Sequence, residues 1–108
     1  MDASRISSRY SFESRFRIRA QRGGEKLVIE GWARDLSESG LGAFVGQALE
    51  LGEIVTLDIP VAAAESVAVE AEVVRCLGTE YGFQFITLSP TQRSQIRDAV
   101  KGRTKLLT

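Results

Sequence analysis

The sequence contains no histidine, although it is 108 residues long. Histidine is the most frequent general base and zinc ligand, and it belongs to the Ser-His and Cys-His nucleophile pairs. Its absence argues against the common hydrolase and metalloenzyme sites. Carboxylates or lysine can also catalyse reactions, but no nucleophile, metal cluster or acid–base pair assembles from the residue types present. We therefore expect no catalytic residue, no bound metal and no cofactor.

Cysteine and long apolar runs are also scarce. The single cysteine, Cys76, excludes an internal disulfide and is expected to be a small packed hydrophobe. No apolar run approaches the ~20 residues that a membrane helix needs, and the sequence from Met1 to Arg5 lacks the apolar stretch of a signal peptide. These absences predict a cytoplasmic domain that does not insert into a membrane.

The net charge is zero, but the charged residues are unevenly distributed. The first 22 residues are mostly basic, whereas every charged residue from Glu50 to Glu72 is acidic. This separation predicts one anion-attracting end and argues against a surface coated by nucleic acid. Eleven of the fourteen basic residues are arginine, whose planar fork suits phosphate and guanine edges better than lysine does. For Arg15, Arg17 and Arg19 we favour a solvated strand face.

Apolar residues between Arg15 and Phe85 recur at every second position in six short segments. This alternation indicates half-buried strands, and the first hairpin turn is expected at Arg22–Glu25 because of its two glycines. Pro60 is expected to end the fourth strand. The predicted inward positions are Phe16, Ile18 and Ala20; Leu27, Ile29, Gly31 and Ala33; Leu41, Ala43 and Val45; Val55, Leu57 and Ile59; Val67, Val69, Ala71 and Val73; and Tyr81, Phe83 and Phe85.

The apolar period becomes helical near the end of the chain. Ser89 is a good N-cap, Pro90 suits the first helical position, and Gln92 completes a capping box, with Gly102 as a stop signal. Residues 1–12 lack periodicity and predict a flexible N-terminal arm, with residues 13–108 forming one folded unit. Six strands and one C-terminal α-helix predict a mainly β fold, a small antiparallel barrel whose closure removes exposed strand edges.

Two short motifs stand out beside this pattern. The first is Arg5-Ile-Ser-Ser-Arg9 in the predicted arm, and the second is Asp35-Leu-Ser37-Glu-Ser-Gly40 at the end of a strand. Each is weak alone. An arginine pair at this spacing is common, and the second motif is typical of a turn in which Asp and Ser accept backbone N–H groups and Gly takes the left-handed conformation.

Together, and in this order, the two motifs resemble the PilZ family. The segments Ala71–Arg75 and Tyr81–Phe85 and the helix that begins at Ser89-Pro90 are also similar to PilZ sequences, so the resemblance extends from Arg5 to about Val100. It implies a six-stranded barrel that binds the second messenger cyclic di-GMP. Many family members carry a further arginine where this chain has Ser4, which leaves the ligand stoichiometry open. The implied ligand-binding residues are Arg5, Arg9, Asp35, Ser37 and Gly40.

The chemistry of this ligand agrees with those residue types. Cyclic di-GMP is a dianion with guanine edges, and a guanidinium can bind a phosphate bidentately or reach guanine O6 and N7. Asp35 can accept from guanine N–H donors, Ser37 can donate or accept, and Gly40 allows close backbone approach. We therefore expect a receptor module whose arm orders on ligand binding and which signals through an unidentified protein partner.

Two alternatives remain. A PilZ-fold adaptor could act through protein contacts without binding a nucleotide. A small barrel could instead bind single-stranded nucleic acid, which requires aromatic residues interleaved with basic ones on an exposed face. The aromatic residues here fall on predicted inward rows, so we expect no nucleic-acid partner.

Overall fold

A computed structural model describes residues 8–106, which form six antiparallel strands and one helix. The strands pair in the order β1-β2-β3-β6-β5-β4, and β1 closes the barrel by pairing with β4 around Ile18 and Leu57. The predicted six-stranded antiparallel barrel with a C-terminal helix is confirmed. The elements are β1 (Tyr10–Arg22), β2 (Glu25–Leu36), β3 (Gly40–Val45), β4 (Ile54–Ala62), β5 (Glu65–Leu77), β6 (Glu80–Phe85) and α1 (Pro90–Val100).

Alternate side chains of every strand fill the barrel interior. All of the predicted inward residues are buried except Leu27 and Gly31, which are half-buried. Ile18, Leu57 and Ile59 have no solvent-exposed surface. A barrel of this size has an interior only wide enough for its own side chains, so any larger ligand has to bind to the outer surface.

The helix α1 packs against β4, β1 and β5. The predicted capping box is confirmed, since Ser89 Oγ accepts from the Gln92 backbone N at 3.1 Å and Gln92 Oε1 accepts from the Ser89 backbone N at 2.7 Å. Gly102 follows the helix with a φ of 79°, as the predicted stop requires. Within residues 8–106, no helix has both the length and the apolar character needed to cross a membrane.

The first strand begins earlier than the alternation from Arg15 predicts. Tyr10–Phe12, which the sequence assigns to the flexible arm of residues 1–12, belongs to β1, and Phe12 is buried. The polar Ser14 interrupts the apolar alternation, so the sequence pattern does not indicate that the strand begins at Tyr10. Backbone contacts hold the segment, because Ser11 N donates to the Thr104 carbonyl at 2.8 Å. In the rest of the predicted arm, residues 8 and 9 precede β1, and residues 1–7 lie outside the described residues.

Two local expectations are wrong. Pro60 does not end β4, which continues to Ala62, because a register shift after Pro60 accommodates the missing N–H. Cys76 is exposed instead of packed, because residues 74–80 of the β5–β6 hairpin are all exposed and extend past the core.

The capping box generates a stability prediction. Replacing Ser89 with alanine leaves the Gln92 backbone N without its acceptor and should cost about 1 kcal/mol of unfolding free energy, which lowers the melting temperature by about 4–8 °C. Thermal denaturation followed by circular dichroism measures this change. Ser94→Ala, on the exposed side of the same helix, is the matched control and should not lower the melting temperature. An equal decrease in melting temperature for the two variants would contradict a specific role for the N-cap.

Candidate binding site on the outer face of the barrel

Four cross-strand partners form a row across the outer face of the barrel. Asp35 of β2 pairs with Gly42 of β3, Gly42 pairs with Gly82 of β6, and Gly82 pairs with Arg75 of β5. The two central residues have no side chains, so the row has a carboxylate at one end, a guanidinium at the other and bare backbone between them. We call these four residues the Asp35–Arg75 row.

The charged side chains at both ends of the row bend over the glycines beside them. A Cβ atom on Gly42 would lie 2.7 Å from Asp35 Oδ2, and a Cβ atom on Gly82 would lie 3.1 Å from Arg75 Nε. Real Cβ contacts this short are strained, so a larger residue at Gly42 or Gly82 would displace the charged group. The positions of both charges therefore depend on the glycines.

Arg9 approaches the same end of the row from the start of β1. Its Nε atom lies 4.0 Å from Asp35 Oδ1, which is too far for a hydrogen bond. This Nε atom is buried and has no hydrogen-bond partner among residues 8–106, although the side chain as a whole is 40% exposed. The Arg9 backbone is fixed, because its carbonyl accepts from Leu106 N at 2.8 Å. Arg9 therefore retains donor capacity next to the Asp35 carboxylate.

Ser37 forms the loop between β2 and β3. Its Oγ atom accepts from the backbone N of Ser39 and of Gly40, both at 3.1 Å, and Ser37 N donates to the Gly40 carbonyl at 2.9 Å. The residue is only 4% exposed. Its hydroxyl oxygen is thus already engaged within the loop, as the turn interpretation of the motif predicts. Asp35 does not cap this turn, since its carboxylate makes no hydrogen bond within the described part of the chain.

Gly40 is required because another backbone approaches it closely, and not because of a left-handed conformation. Its φ is not positive, so the expected left-handed conformation is wrong. A Cβ atom at Gly40 would instead overlap the carbonyl oxygen of Phe83 in β6. Gly40 therefore lets the start of β3 lie directly against β6, and it holds the Ser37–Gly40 loop at the edge of the Asp35–Arg75 row.

These features surround one shallow cleft of about 550 Å³, which Arg9, Asp35, Ser37, Gly40 and the remainder of the row line together. A second hollow of about 250 Å³ continues from it towards Arg34, Glu80 and Leu106. The structure thus brings four of the five predicted binding residues into one cleft. The fifth, Arg5, lies outside the described residues.

Sequence reasoning missed Gly42, Gly82 and Arg75 in the cleft and Arg34 in the adjoining hollow. A glycine inside a strand signals close backbone approach, and both Gly42 and Gly82 carry that signal. Their pairing across β3 and β6 is visible only in the folded barrel. Arg34 lies over the Phe44 ring at 4.9 Å and contacts Glu80 at 3.8 Å.

This chain is similar to known proteins in both sequence and structure. The model of the family described as PilZ domain matches residues 4–102. A PilZ domain of YcgR from Escherichia coli with c-di-GMP has 16% sequence identity and a TM-score of 0.71, and the match covers 88% of this chain and 87% of that chain. No curated protein matches the sequence.

Two further solved structures are similar. The PilZ domain of CeSA from a cellulose-synthesizing bacterium has 19% identity and a TM-score of 0.67, over 87% of this chain and 95% of that one. A second YcgR structure from Escherichia coli, in complex with c-di-GMP, has 17% identity and a TM-score of 0.66, over 84% of this chain and 42% of that one. At these identities the structural likeness shows a shared fold.

The loop contacts of Ser37 generate a second prediction. Ser37→Ala removes the acceptor of two backbone N–H groups in a buried position and should lower the unfolding free energy by about 1–3 kcal/mol. Ser94→Ala, at an exposed position of α1 away from the loop, should change it by less than about 0.5 kcal/mol. Urea denaturation measures both. Stability that is unaffected by Ser37→Ala would contradict the loop-forming role.

Proposed function

Because this chain belongs to the PilZ domain family, we propose that it is a receptor that binds cyclic di-GMP in the cleft above the Asp35–Arg75 row. The observation that carries the proposal is that Arg9, Asp35 and the Ser37–Gly40 loop, which come from separate motifs, line a single cleft. Two of the similar structures, both of YcgR, contain c-di-GMP, which supports the same ligand class for this chain.

Arg9 binds a phosphate of the ligand in this proposal. Its guanidinium is partly exposed and its Nε donor has no partner among residues 8–106. A guanidinium forms strong, often bidentate hydrogen bonds to a phosphodiester, and it does so without losing an existing hydrogen-bonded ion pair here. Arg5, four residues earlier in the chain, supplies a second guanidinium from the arm that precedes the described residues.

Asp35 binds a guanine edge. Guanine presents N–H donors at N1 and N2, and an ionised carboxylate is an acceptor-only group that matches two such donors. The Asp35 side chain is 18% exposed, makes no hydrogen bond within residues 8–106 and lies over the bare backbone of Gly42. Gly42 therefore adds no side chain that would block a planar base, and Arg9 lies beside the carboxylate at 4.0 Å.

Ser37 and Gly40 shape the site instead of supplying its main polar contacts. The Ser37 hydroxyl oxygen is engaged by two backbone N–H groups, and Gly40 sits against the Phe83 carbonyl. Both residues fix the conformation of the loop that follows Asp35. This assignment changes the expectation that the Ser37 hydroxyl contacts the ligand directly.

The proposed function is binding without catalysis, in the cytoplasm. A ligand on the outer face of the barrel changes the shape and charge of a surface that a protein partner can contact, and ordering of the N-terminal arm over the ligand extends that change. Neither a nucleic acid nor a membrane is part of the proposal.

Calorimetric titration with cyclic di-GMP tests the proposal, with cyclic di-AMP and GTP as controls. Binding should stabilise the fold by about 2.7 kcal/mol when the ligand is at ~100 times its dissociation constant, which raises the melting temperature by about 10 °C or more. Arg5→Ala, Arg9→Ala and Asp35→Ala should each weaken binding by about 10- to 150-fold, because each removes a charged hydrogen-bonding contact.

Arg17→Ala is the matched control for the arginine variants. Arg17 lies on the outer face of β1, is 67% exposed, contacts Glu30 and does not line the cleft. The Arg17→Ala variant should bind cyclic di-GMP as the wild type does, and neither Arg9→Ala nor Arg17→Ala should alter the melting temperature of the free protein appreciably.

Absence of any heat with wild-type protein at high micromolar ligand would refute the proposal and favour the adaptor that binds no nucleotide. Loss of binding in Arg17→Ala alone would move the site to the arginine-rich face of β1.

A further inference from the structure

Arg75 differs from most other arginines on the outer faces of the strands. Arg17, Arg19, Arg22 and Arg34 each contact a carboxylate within 4.0 Å. Among residues 8–106, Arg75 has no such carboxylate, although Asp35 belongs to the same row. A cation that is exposed, unpaired in the described part of the chain and held inside a cleft is available to a ligand.

The side chain of Arg75 is held down on the sheet. The Cβ, Nε and Nη2 atoms lie 3.2, 3.1 and 3.4 Å from the point where a Cβ atom of Gly82 would be, so the side chain crosses the bare backbone of Gly82. One side of the guanidinium therefore rests on β6, and the residue as a whole is exposed to the cleft. With a larger residue in place of Gly82, the Arg75 side chain could not lie across the backbone of β6.

We propose that the Arg75 guanidinium is the platform on which a guanine base of cyclic di-GMP stacks. The inference rests on the proposed function and adds a contact from β5, a strand that contributes nothing to either sequence motif. A guanidinium is planar, delocalised and weakly hydrated, and it stacks on aromatic rings and on unstacked nucleobases. Here stacking requires no salt bridge within the described residues to break first.

The spacing of the row allows a base stacked on Arg75 to reach the carboxylate at the other end. The backbones of Asp35 and Arg75 are separated by three strand spacings, which is about 14 Å. Both side chains lean inwards over the glycines beside them, so the carboxylate and the guanidinium lie closer together than the backbones that carry them. A base stacked on Arg75 extends towards the Asp35 carboxylate, which can accept from its N–H donors.

Four variants of two residues separate stacking from simple charge attraction. Arg75→Ala removes both charge and plane, Arg75→Lys keeps the charge without the plane, and Arg75→Trp keeps a plane without the charge. Gly82→Ala leaves Arg75 in the chain but places a methyl group where the guanidinium lies. Calorimetric titration with cyclic di-GMP measures each dissociation constant, and thermal denaturation verifies that each variant is folded.

If Arg75 stacks, Arg75→Ala and Arg75→Lys weaken binding by about 5- to 150-fold, the range that loss of one base-stacking contact produces. Arg75→Trp should bind within about threefold of the wild type, because indole supplies a stacking surface. Gly82→Ala should weaken binding although Arg75 is retained. The matched controls are Arg15→Ala, an exposed arginine outside the cleft, and Gly46→Ala, whose Cβ atom would meet nothing within 4 Å; both should bind normally.

Wild-type affinity in Arg75→Lys would overturn stacking in favour of charge alone, and a loss in Arg75→Trp as large as in Arg75→Ala would overturn it as well. Equal losses in Arg15→Ala and Arg75→Ala would show that the effect is not local to the row. These outcomes all require a wild-type protein that binds. Failure of the wild type to bind cyclic di-GMP would instead overturn the proposed function itself.

Discussion

The interior of a six-stranded barrel this small is filled by its own side chains, so a ligand can bind only to the outer surface. Ile18 and Leu57, which meet where β1 closes on β4, have no exposed surface. On an outer surface, side chains normally cover the backbone. Gly42 and Gly82, which pair with each other, have no side chains to cover two adjacent strands, and the side chains of Asp35 and Arg75 lie over this backbone instead.

Two parts of the cleft are held by the segment that follows the barrel. Glu38, inside the Ser37–Gly40 loop, contacts Arg97 at 3.3 Å and Arg93 at 3.6 Å, both on α1. The backbone of Arg9 is held after α1, because its carbonyl accepts from Leu106 N. The geometry of the site therefore depends on the docking of α1 and of the residues after it, as well as on the barrel strands.

The sequence predicts those features that depend on local periodicity and capping. The inward rows and the capping box at Ser89 follow from residue type and spacing, and the order of the two motifs indicates the family. The Asp35–Arg75 row does not follow, because the register between β3 and β6 joins residues 40 positions apart and is set by barrel closure. The role of Ser37 was also ambiguous, since a hydroxyl that holds a loop and one that contacts a ligand look alike in a sequence.

The most direct test of a ligand site on the outer face is nuclear magnetic resonance of ¹⁵N-labelled protein during titration with cyclic di-GMP. Glycine amides lie both inside and outside the proposed site. The amides of Gly42 and Gly82 in the row should shift strongly, together with Asp35, whereas Gly23 and Gly52 in turns outside the cleft should not. Shifts confined to β1 and its neighbour Trp32, with Gly42 and Gly82 unchanged at saturation, would contradict the account.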